Sequence, residues 1–362
     1  MKIAIDFREG ARQKRAGKGE YVWQLVNAWI LASLDDELLL VIERGQKINL
    51  PAGSWQTVII PACGLWWHFL VILWLEFCRP ANLYFSTTSL IIPALVRSTK
   101  TVTTIFDFTV WRFPATHLPK AVRLEKLFML PALRYSNHLL AISEFTKQEA
   151  ISIFRIPVSK ITVTPLSASL EFQPMSVSPK AITQLGEKYN LPAKFILYLG
   201  TLEPRKNIER LKEAYQNIAH KIPDTKLVLA GAQGWCAKDE TLSSGVIITG
   251  YIEDSDRPLI YNIATAFVFP SLYEGFGLPP LEAMACGTPV ITSLTASLPE
   301  VVGNAAILIP PANTNAIAEA IYKIVMSQDI RESLRAKGLA RAKNFSWVKT
   351  LSLTTAVLHK YE

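Results

Sequence analysis

Apolar residues in the second half of the chain fall in short unbroken runs separated by longer periodic stretches. "FILYLG" (195–200), "KLVLAG" (226–231), "GVIITG" (245–250), "AFVFPS" (266–271) and "PVITS" (289–293) are apolar almost throughout. A strand that is apolar on both faces is covered on both faces, as in a parallel sheet. Helical patterns lie between the runs, from Asn207 to His220, in "SDRPLIYNIA", and from about Pro279. Right-handed crossovers then wind this half into a doubly wound α/β domain.

The first half follows the same grammar more loosely. "KIAIDF" (2–7), "LLLVIE" (38–43), "TVIIP" (57–61), "NLYFST" (82–87), "KTVTTIFD" (100–107), "NHLLAIS" (137–143) and "KITVTP" (160–165) read as strands. A loop holding Gly17 and Gly19 leads into a helix ending near Ser33, and a second helix runs from Glu144 to Phe154. Residues 166–193 are rich in Ser, Pro and short polar residues, which places a linker at 171–193. The pattern predicts two α/β domains, 1–170 and 194–344, with a cleft between the carboxyl edges of their sheets, where open α/β sheets bind ligands.

"VIIPACGLWWHFLVILWLEFC" (58–78) departs from this grammar, since only His68 and Glu76 titrate in it. Pro61 and Gly64 break the run, and a helix from about Leu65 is short for a span. That length suits a core or an interfacial helix, and Trp66, Trp67 and Trp74 favour an interface.

Length and composition fit this division. The chain has 362 residues, 50% hydrophobic and 19% charged, enough for two globular cores. Mean hydropathy is high, at +0.22. Cys63, Cys78, Cys236 and Cys286 stand far apart without metal spacing and read as reduced packing residues of a cytoplasmic protein. The N-terminal "MKIAIDF" is too short and polar for a signal peptide. Residues 1–180 hold 20 Lys and Arg against 13 Asp and Glu, a net of +7, while 181–362 hold 18 against 17. A basic half suits an anionic partner. Nucleic acid is disfavoured, because there is no RNP-like motif, zinc-finger spacing or dense Lys/Arg patch.

"PSLYEGFGLPPLEAMACGTPVITS" (270–293) carries two acids, Glu274 and Glu282, eight positions apart. Gly275 and Gly277 let backbone approach a ligand closely. Pro279 and Pro280 suit a first helical turn. The amides before them, with the helix dipole, suit a diphosphate. Glu282, expected in the first turn, is placed to accept hydrogen bonds from the vicinal hydroxyls of a ribose. Glu274 lies upstream, where a group beyond the phosphates would be. Alone, Glu282 would read as a dipole or capping glutamate and Glu274 as a solvated loop acid. "GTLEPRKN" (200–207) puts Arg205 and Lys206 at a strand-to-helix turn, with Asn207 as a cap. Arginine holds phosphate bidentately and lysine adds a point charge.

A metal is not required by this arrangement. "DSD" (254–256) resembles a manganese-binding DxD, but it precedes a helical run where Asp254 or Ser255 is a natural N-cap. No His/Cys/Asp cluster has ligand spacing. There is no GxSxG elbow, Walker A loop or GxGxxG after the first strand, which disfavours hydrolase, NTPase and NAD oxidoreductase chemistry.

"GTLEPRKN", "AFVFPSLYEGFGLPPLEAMACGTPVITS" and "SLPEVVGNAA" resemble the C-terminal domain of glycosyltransferase family 4, the retaining GT-B enzymes or group 1 glycosyl transferases. "RAGKGEYVWQLV", "ISEFTKQEAI", "KITVTPLSAS" and the closing "FSWVKTLSLTTAVL" are similar to other parts of the same family, mannosyltransferases included. The resemblance implies two Rossmann-like domains facing across a cleft. Residues 1–170 would bind the acceptor, 194–344 the nucleotide sugar, and the helix at 345–362 would cross back to the first domain. Glu282 would hold donor ribose and Glu274 the hydroxyls of the transferred sugar. Arg205 and Lys206 would neutralise the diphosphate, with amides near Phe276, Gly277 and Leu278. Gly17 and Gly19 would approach it from the other domain. Many relatives carry His-Asp where this chain has Phe106-Asp107, which leaves Asp107 as the polar group there; His117, a few residues on, is given no role.

The implied activity is retaining, metal-independent sugar transfer with no cofactor. A nucleotide diphosphate sugar is the co-substrate, with GDP-mannose favoured. The acceptor would be a glycan or lipid-linked molecule of cell-envelope polysaccharide or glycolipid synthesis. The enzyme would be cytoplasmic, with peripheral contact at the inner face of the membrane. A nucleotide-sugar 2-epimerase of the same fold and a non-catalytic sugar-nucleotide-binding protein are the alternatives. A phosphorylase would need a pyridoxal lysine, for which there is no clear motif.

Overall fold

The computed structural model describes residues 1–15, 17–116, 118–232 and 244–362, so His117 and Cys236 lie outside the described residues. The chain forms two compact units, residues 1–166 with 346–362, and residues 167–345.

Unit 1 holds seven strands: β1 (Lys2–Asp6), β2 (Glu37–Glu43), β3 (Trp55–Ile60), β4 (Leu83–Ser86), β5 (Lys100–Ile105), β6 (His138–Ala141) and β7 (Ile161–Val163). All pair in parallel in the order β3-β2-β1-β4-β5-β6-β7. Unit 2 holds β8 (Phe195–Leu199), β9 (Lys226–Ala230), β10 (Val246–Gly250), β11 (Ala266–Phe269), β12 (Val290–Ser293) and β13 (Ala306–Ile309). These are also parallel, in the order β10-β9-β8-β11-β12-β13. In each sheet the winding reverses once, between β1 and β4 and between β8 and β11, and such switch points open a crevice at the carboxyl ends of the strands. Ile196, Leu197, Val228, Phe267 and Ile291 are fully buried, as central strands covered on both faces must be.

Several expectations need correction. β13 was not expected; "AAILI" is short, and as an edge strand it is only partly buried. Residues 171–193 are not a free linker. They carry the helix Pro179–Tyr189, capped by Ser178 and ended by Asn190 in the left-handed conformation. Its Leu185 and Tyr189 are buried in the core of unit 2. Gly17 and Gly19 lie not in a loop but in the first turn of the helix Gly17–Leu31. A Cβ on Gly19 would lie 2.6 Å from the carbonyl oxygen of Glu9, so this glycine lets the helix start pack on the loop after β1, whereas around Gly17 there is open space. The helix after "DSD" is Arg257–Ile263 and its N-cap residue is Asp256, which makes no side-chain cap. The Asp256 carboxylate instead accepts from Lys188 Nζ at 2.8 Å and Tyr189 Oη at 2.7 Å.

The apolar run forms the helix Gly64–Leu73 followed by a wider π turn, Trp74–Cys78. It is two-sided. Trp67, Val71 and Leu75 recur every fourth residue and are fully buried. Trp67 Nε1 donates to Ile42 O at 3.1 Å. Leu65, Trp66, Phe69 and Phe77 face outward, Trp66 at 72% exposure. Among the described residues no helix is long and apolar enough to cross a membrane.

Residues 346–362 belong to unit 1. In the helix Trp347–Leu358, Trp347, Leu351 and Leu358 are buried. Trp347 packs 6.2 Å from the Tyr21 ring. Asp36 gathers the end of the chain to its beginning, holding the Met1 ammonium at 3.0 Å and His359 Nε2 at 3.0 Å.

Candidate active site

In unit 2 the loops after the switch-point strands β8 and β11 bring together Arg205, Lys206 and Glu274. After β8 the chain makes a 3-10 turn, Pro204–Lys206, and Asn207 takes the left-handed conformation at φ 64° before the helix Ile208–Ala219. Asn207 does not cap that helix with its side chain. Its Nδ2 donates to Pro270 O at 3.2 Å and Pro311 O at 2.7 Å, which ties this turn to the end of β11.

Glu274 Oε1 is the focus of the cluster. It accepts from Lys206 Nζ at 2.5 Å and Ser271 Oγ at 2.6 Å, with Arg205 Nη1 at 3.3 Å. Arg205 is steadied by Glu203 Oε1 and Tyr273 O, both at 2.5 Å. Glu274 Oε2 has no hydrogen-bond partner among the described residues. Burial alone would lift the Glu274 carboxyl, but the charges of Lys206 and then Arg205 outweigh it and hold it below the usual carboxylate range. Burial draws the Lys206 ammonium down, against the pull of Glu274.

The turn beyond Glu274 is fixed by Ser297, whose hydroxyl lies 2.8 Å from Glu274 O and 2.7 Å from Phe276 O. Gly277 sits at φ +112°, and a Cβ there would lie 2.8 Å from Leu298 Cδ2, so only glycine fits. The Phe276 ring is buried edge-on to Phe345, which leaves Phe276 its amide for any ligand role. The helix begins at Leu278, one residue earlier than expected. With Pro279 and Pro280 in its first turn, the donors at its start come from the loop and from Leu278. The amides of Phe276, Gly277 and Leu278 have no partner among the described residues.

Glu282 is the fifth residue of this helix and therefore lies in the second turn, not the first. It is buried and held by residues that sequence reasoning missed. Oε2 accepts from Arg257 Nη2 at 2.6 Å and from Tyr261 Oη at 3.1 Å. Oε1 has no partner among the described residues. Burial opposes the Arg257 charge, but Glu282 more than restores it and holds the proton firmly. Phe172 lies beneath the guanidinium at 5.3 Å. The missed signal is "RPLIY" (257–261), whose Arg and Tyr are four apart and so share a helix face. Cys286, one turn beyond Glu282, is pushed up to about 12 by burial first and by Glu282 second.

Asp107 is in unit 1, at the carboxyl end of β5. Its Oδ1 accepts from Thr109 N at 2.8 Å. Phe106 is edge-on to Tyr21 at 5.2 Å, and Lys18 Nζ lies 5.3 Å from its ring centre. Asp107 lines a cavity of about 450 Å³ with Arg8, Lys18, His68 and Glu125. Arg8 is held by the buried Asp6 at 3.1 and 3.2 Å and stacks 3.8 Å from the Trp67 ring centre. Burial raises the Glu125 carboxyl; Lys18 opposes this and Asp107 adds to it. Arg8 and Glu125 were also missed: Asp6 stands only two residues from Arg8, but the Trp67 ring that Arg8 stacks on and the Lys18 charge beside Glu125 are far away in sequence. Gly17 and Gly19, at the start of the first helix, are in this unit too.

Residues 184–341 match the family described as glycosyl transferases group 1. The O-antigen chain mannosyltransferase B of Escherichia coli is 36% identical over 275 residues, which is 74% of this chain and 71% of that protein. The serotype-specific mannosyltransferase WbdA of Escherichia coli is 35% identical over 232 residues, 60% of this chain but only 28% of WbdA. Sucrose-phosphate synthase from Thermosynechococcus elongatus superposes with a TM-score of 0.77 over 99% of this chain and 98% of its own, at 20% identity, a likeness of fold. With its two parallel-sheet Rossmann-like units in the GT-B manner, and with this kinship in sequence, the chain belongs to the group 1 glycosyltransferases and is a glycosyltransferase.

Proposed function

We propose that this enzyme transfers mannose, with retention and without a metal, from GDP-mannose to a glycan or lipid-linked acceptor of cell-envelope polysaccharide or glycolipid synthesis. The relatives named above are mannosyltransferases, which supports the sugar. One observation carries the site assignment. Glu274 and Glu282 each have one oxygen fixed by cations and hydroxyls and one oxygen open.

In this reading the diphosphate lies against Arg205, Lys206 and the amides of Phe276 to Leu278. Its charge repays Lys206 the hydration lost on burial and loosens the grip of Lys206 on Glu274. Glu282 Oε1 accepts from a ribose hydroxyl, and Glu274 Oε2 accepts from a hydroxyl of the transferred sugar. The acceptor oxygen attacks the anomeric carbon on the face that the diphosphate leaves. The bond from that carbon to the phosphate oxygen breaks, the new glycosidic bond forms, and the acceptor proton passes to the departing diphosphate. Arg205 and Lys206 stabilise the charge that develops there. The acceptor is proposed to use the unit 1 cavity lined by Arg8, Lys18, Asp107 and Glu125.

The test is a thermal-shift screen of nucleotide sugars, since a ligand that binds only the folded state raises its stability. The strongest stabiliser is then used, labelled, in a product assay with candidate acceptors. GDP-mannose is expected to stabilise most and to give a labelled glycan; conversion of donor without acceptor would identify an epimerase instead.

The outward face of the helix Gly64–Leu73 is proposed to meet an anionic membrane surface, where a lipid-linked acceptor resides. Exposed Leu65, Trp66, Phe69 and Phe77 on a basic half of the chain support this contact.

A further inference from the structure

A second cavity, of about 480 Å³, opens at the other end of the unit 2 sheet. Lys194, Thr265 and Pro289 line it, and each immediately precedes a strand, β8, β11 or β12. These three strands are neighbours in the sheet, so the cavity sits at their amino ends, whereas Arg205 and Glu274 follow their carboxyl ends. Strands of four or five residues put roughly 13–17 Å between the two ends. This cavity is therefore separate from the site described above.

Its wall is the helix Gln328–Ala342, which contributes Arg331 and Arg335. Both guanidiniums are anchored through Nη1. Arg331 donates to Ile324 O and Val325 O at 2.8 Å, and Arg335 donates to Gly287 O at 3.2 Å. Gly287 is left-handed at φ +80°, and a Cβ there would lie 2.9 Å from Arg335 Cζ, so the glycine makes room for the guanidinium. Helix-end capping explains one nitrogen of each arginine. It leaves Nε and Nη2 of both without a partner among the described residues, and Lys194 Nζ likewise. The one carboxylate in the lining, Glu332, accepts from Gln328 Nε2 at 2.7 Å. Three cations face one acid across a concave surface, an excess of two positive charges.

We propose that this cavity binds a small phosphate-bearing anion. Its charge matches a phosphate dianion, the anchored guanidiniums offer planar pairs of N–H donors suited to phosphate oxygens, and Lys194 supplies a mobile point charge.

Calorimetric titration of the whole chain with inorganic pyrophosphate tests this. The donor site also takes diphosphates, so wild type is compared with Lys206→Met and with the double variant Lys194→Gln/Arg331→Gln. Two binding events are expected. Lys206→Met should abolish one, and the double variant should weaken the other at least about tenfold, as loss of hydrogen bonds to a charged ligand does. Lys194→Gln alone, at an exposed residue with no partner to lose, should weaken that event without lowering Tm, and Lys194→Arg should retain it. A single event governed by Lys206, or a second event indifferent to Lys194 and Arg331, overturns the proposal. Loss of only the Lys206-dependent event from wild type would instead count against the donor-site reading.

Discussion

Lys206 Nζ and Glu274 Oε1 lie 2.5 Å apart, a largely buried ion pair formed by residues 68 positions apart in the chain. A buried pair of this kind is a weak source of stability, because desolvation offsets much of the attraction. Its placement at the switch point of the unit 2 sheet points to chemistry instead. In the proposed reading the ammonium meets the donor diphosphate; the carboxylate is kept ionised with one oxygen open.

The pair predicts a pH dependence of stability. The carboxyl of Glu274 is depressed in the folded state relative to its ordinary value of 4.5. Its stabilising contribution is therefore complete above pH 4.5 and is lost as pH falls further, through the folded value. Tm measured against pH for wild type and Glu274→Gln should differ most near neutrality and converge in acid. A difference that stays constant through the acid range would contradict the assignment.

The two tryptophans of the apolar helix should separate cleanly. Trp66→Ser should weaken binding to anionic lipid vesicles and leave Tm near that of wild type. Trp67 is fully buried and bonded to Ile42 O, so Trp67→Ser should destabilise by about 3–5 kcal/mol. Vesicle sedimentation and thermal melts of both variants check this; unchanged vesicle binding by Trp66→Ser would remove the membrane contact.

Metal independence is a third expectation. Asp256 is tied to Lys188 and Tyr189, and Asp254 lies 3.6 Å from Arg257, so "DSD" serves local ion pairs. Transfer activity should persist in EDTA. Complete loss, restored by manganese, would contradict the assignment of the diphosphate to Arg205 and Lys206.

The strands of both sheets were legible because parallel strands covered on both faces leave unbroken apolar runs. β13 escaped because "AAILI" is short and lies at a half-buried edge. The linker was misread because polar composition alone hid a helix whose Leu185 and Tyr189 pack inward. In the site, Glu274, Glu282, Arg205 and Lys206 stood out through their spacing beside glycines and prolines. Arg257 did not, since its partner Glu282 is 25 residues away and only the fold brings them together. Arg8 was hidden for a related reason: Asp6 is a near neighbour in the chain, but the ring of Trp67 that completes its setting is 59 residues away. Linear sequence shows a motif's reacting groups better than the side chains that aim them.

The most direct test of the account is steady-state kinetics of Glu274→Gln and Glu282→Gln against varied donor. In the proposed reading Glu282 holds ribose, which barely changes during transfer, so its loss would remove interaction from ground and transition states alike. KM for donor should then rise by about 10- to 150-fold, the worth of a hydrogen bond to a charged group, with kcat little changed. In the same reading Glu274 meets the transferred sugar, whose ring gains positive charge as its bond to phosphate breaks. Glu274→Gln should mainly lower kcat. If Glu282→Gln lowered kcat and spared KM while Glu274→Gln did the reverse, the orientation of the donor on this site would be wrong.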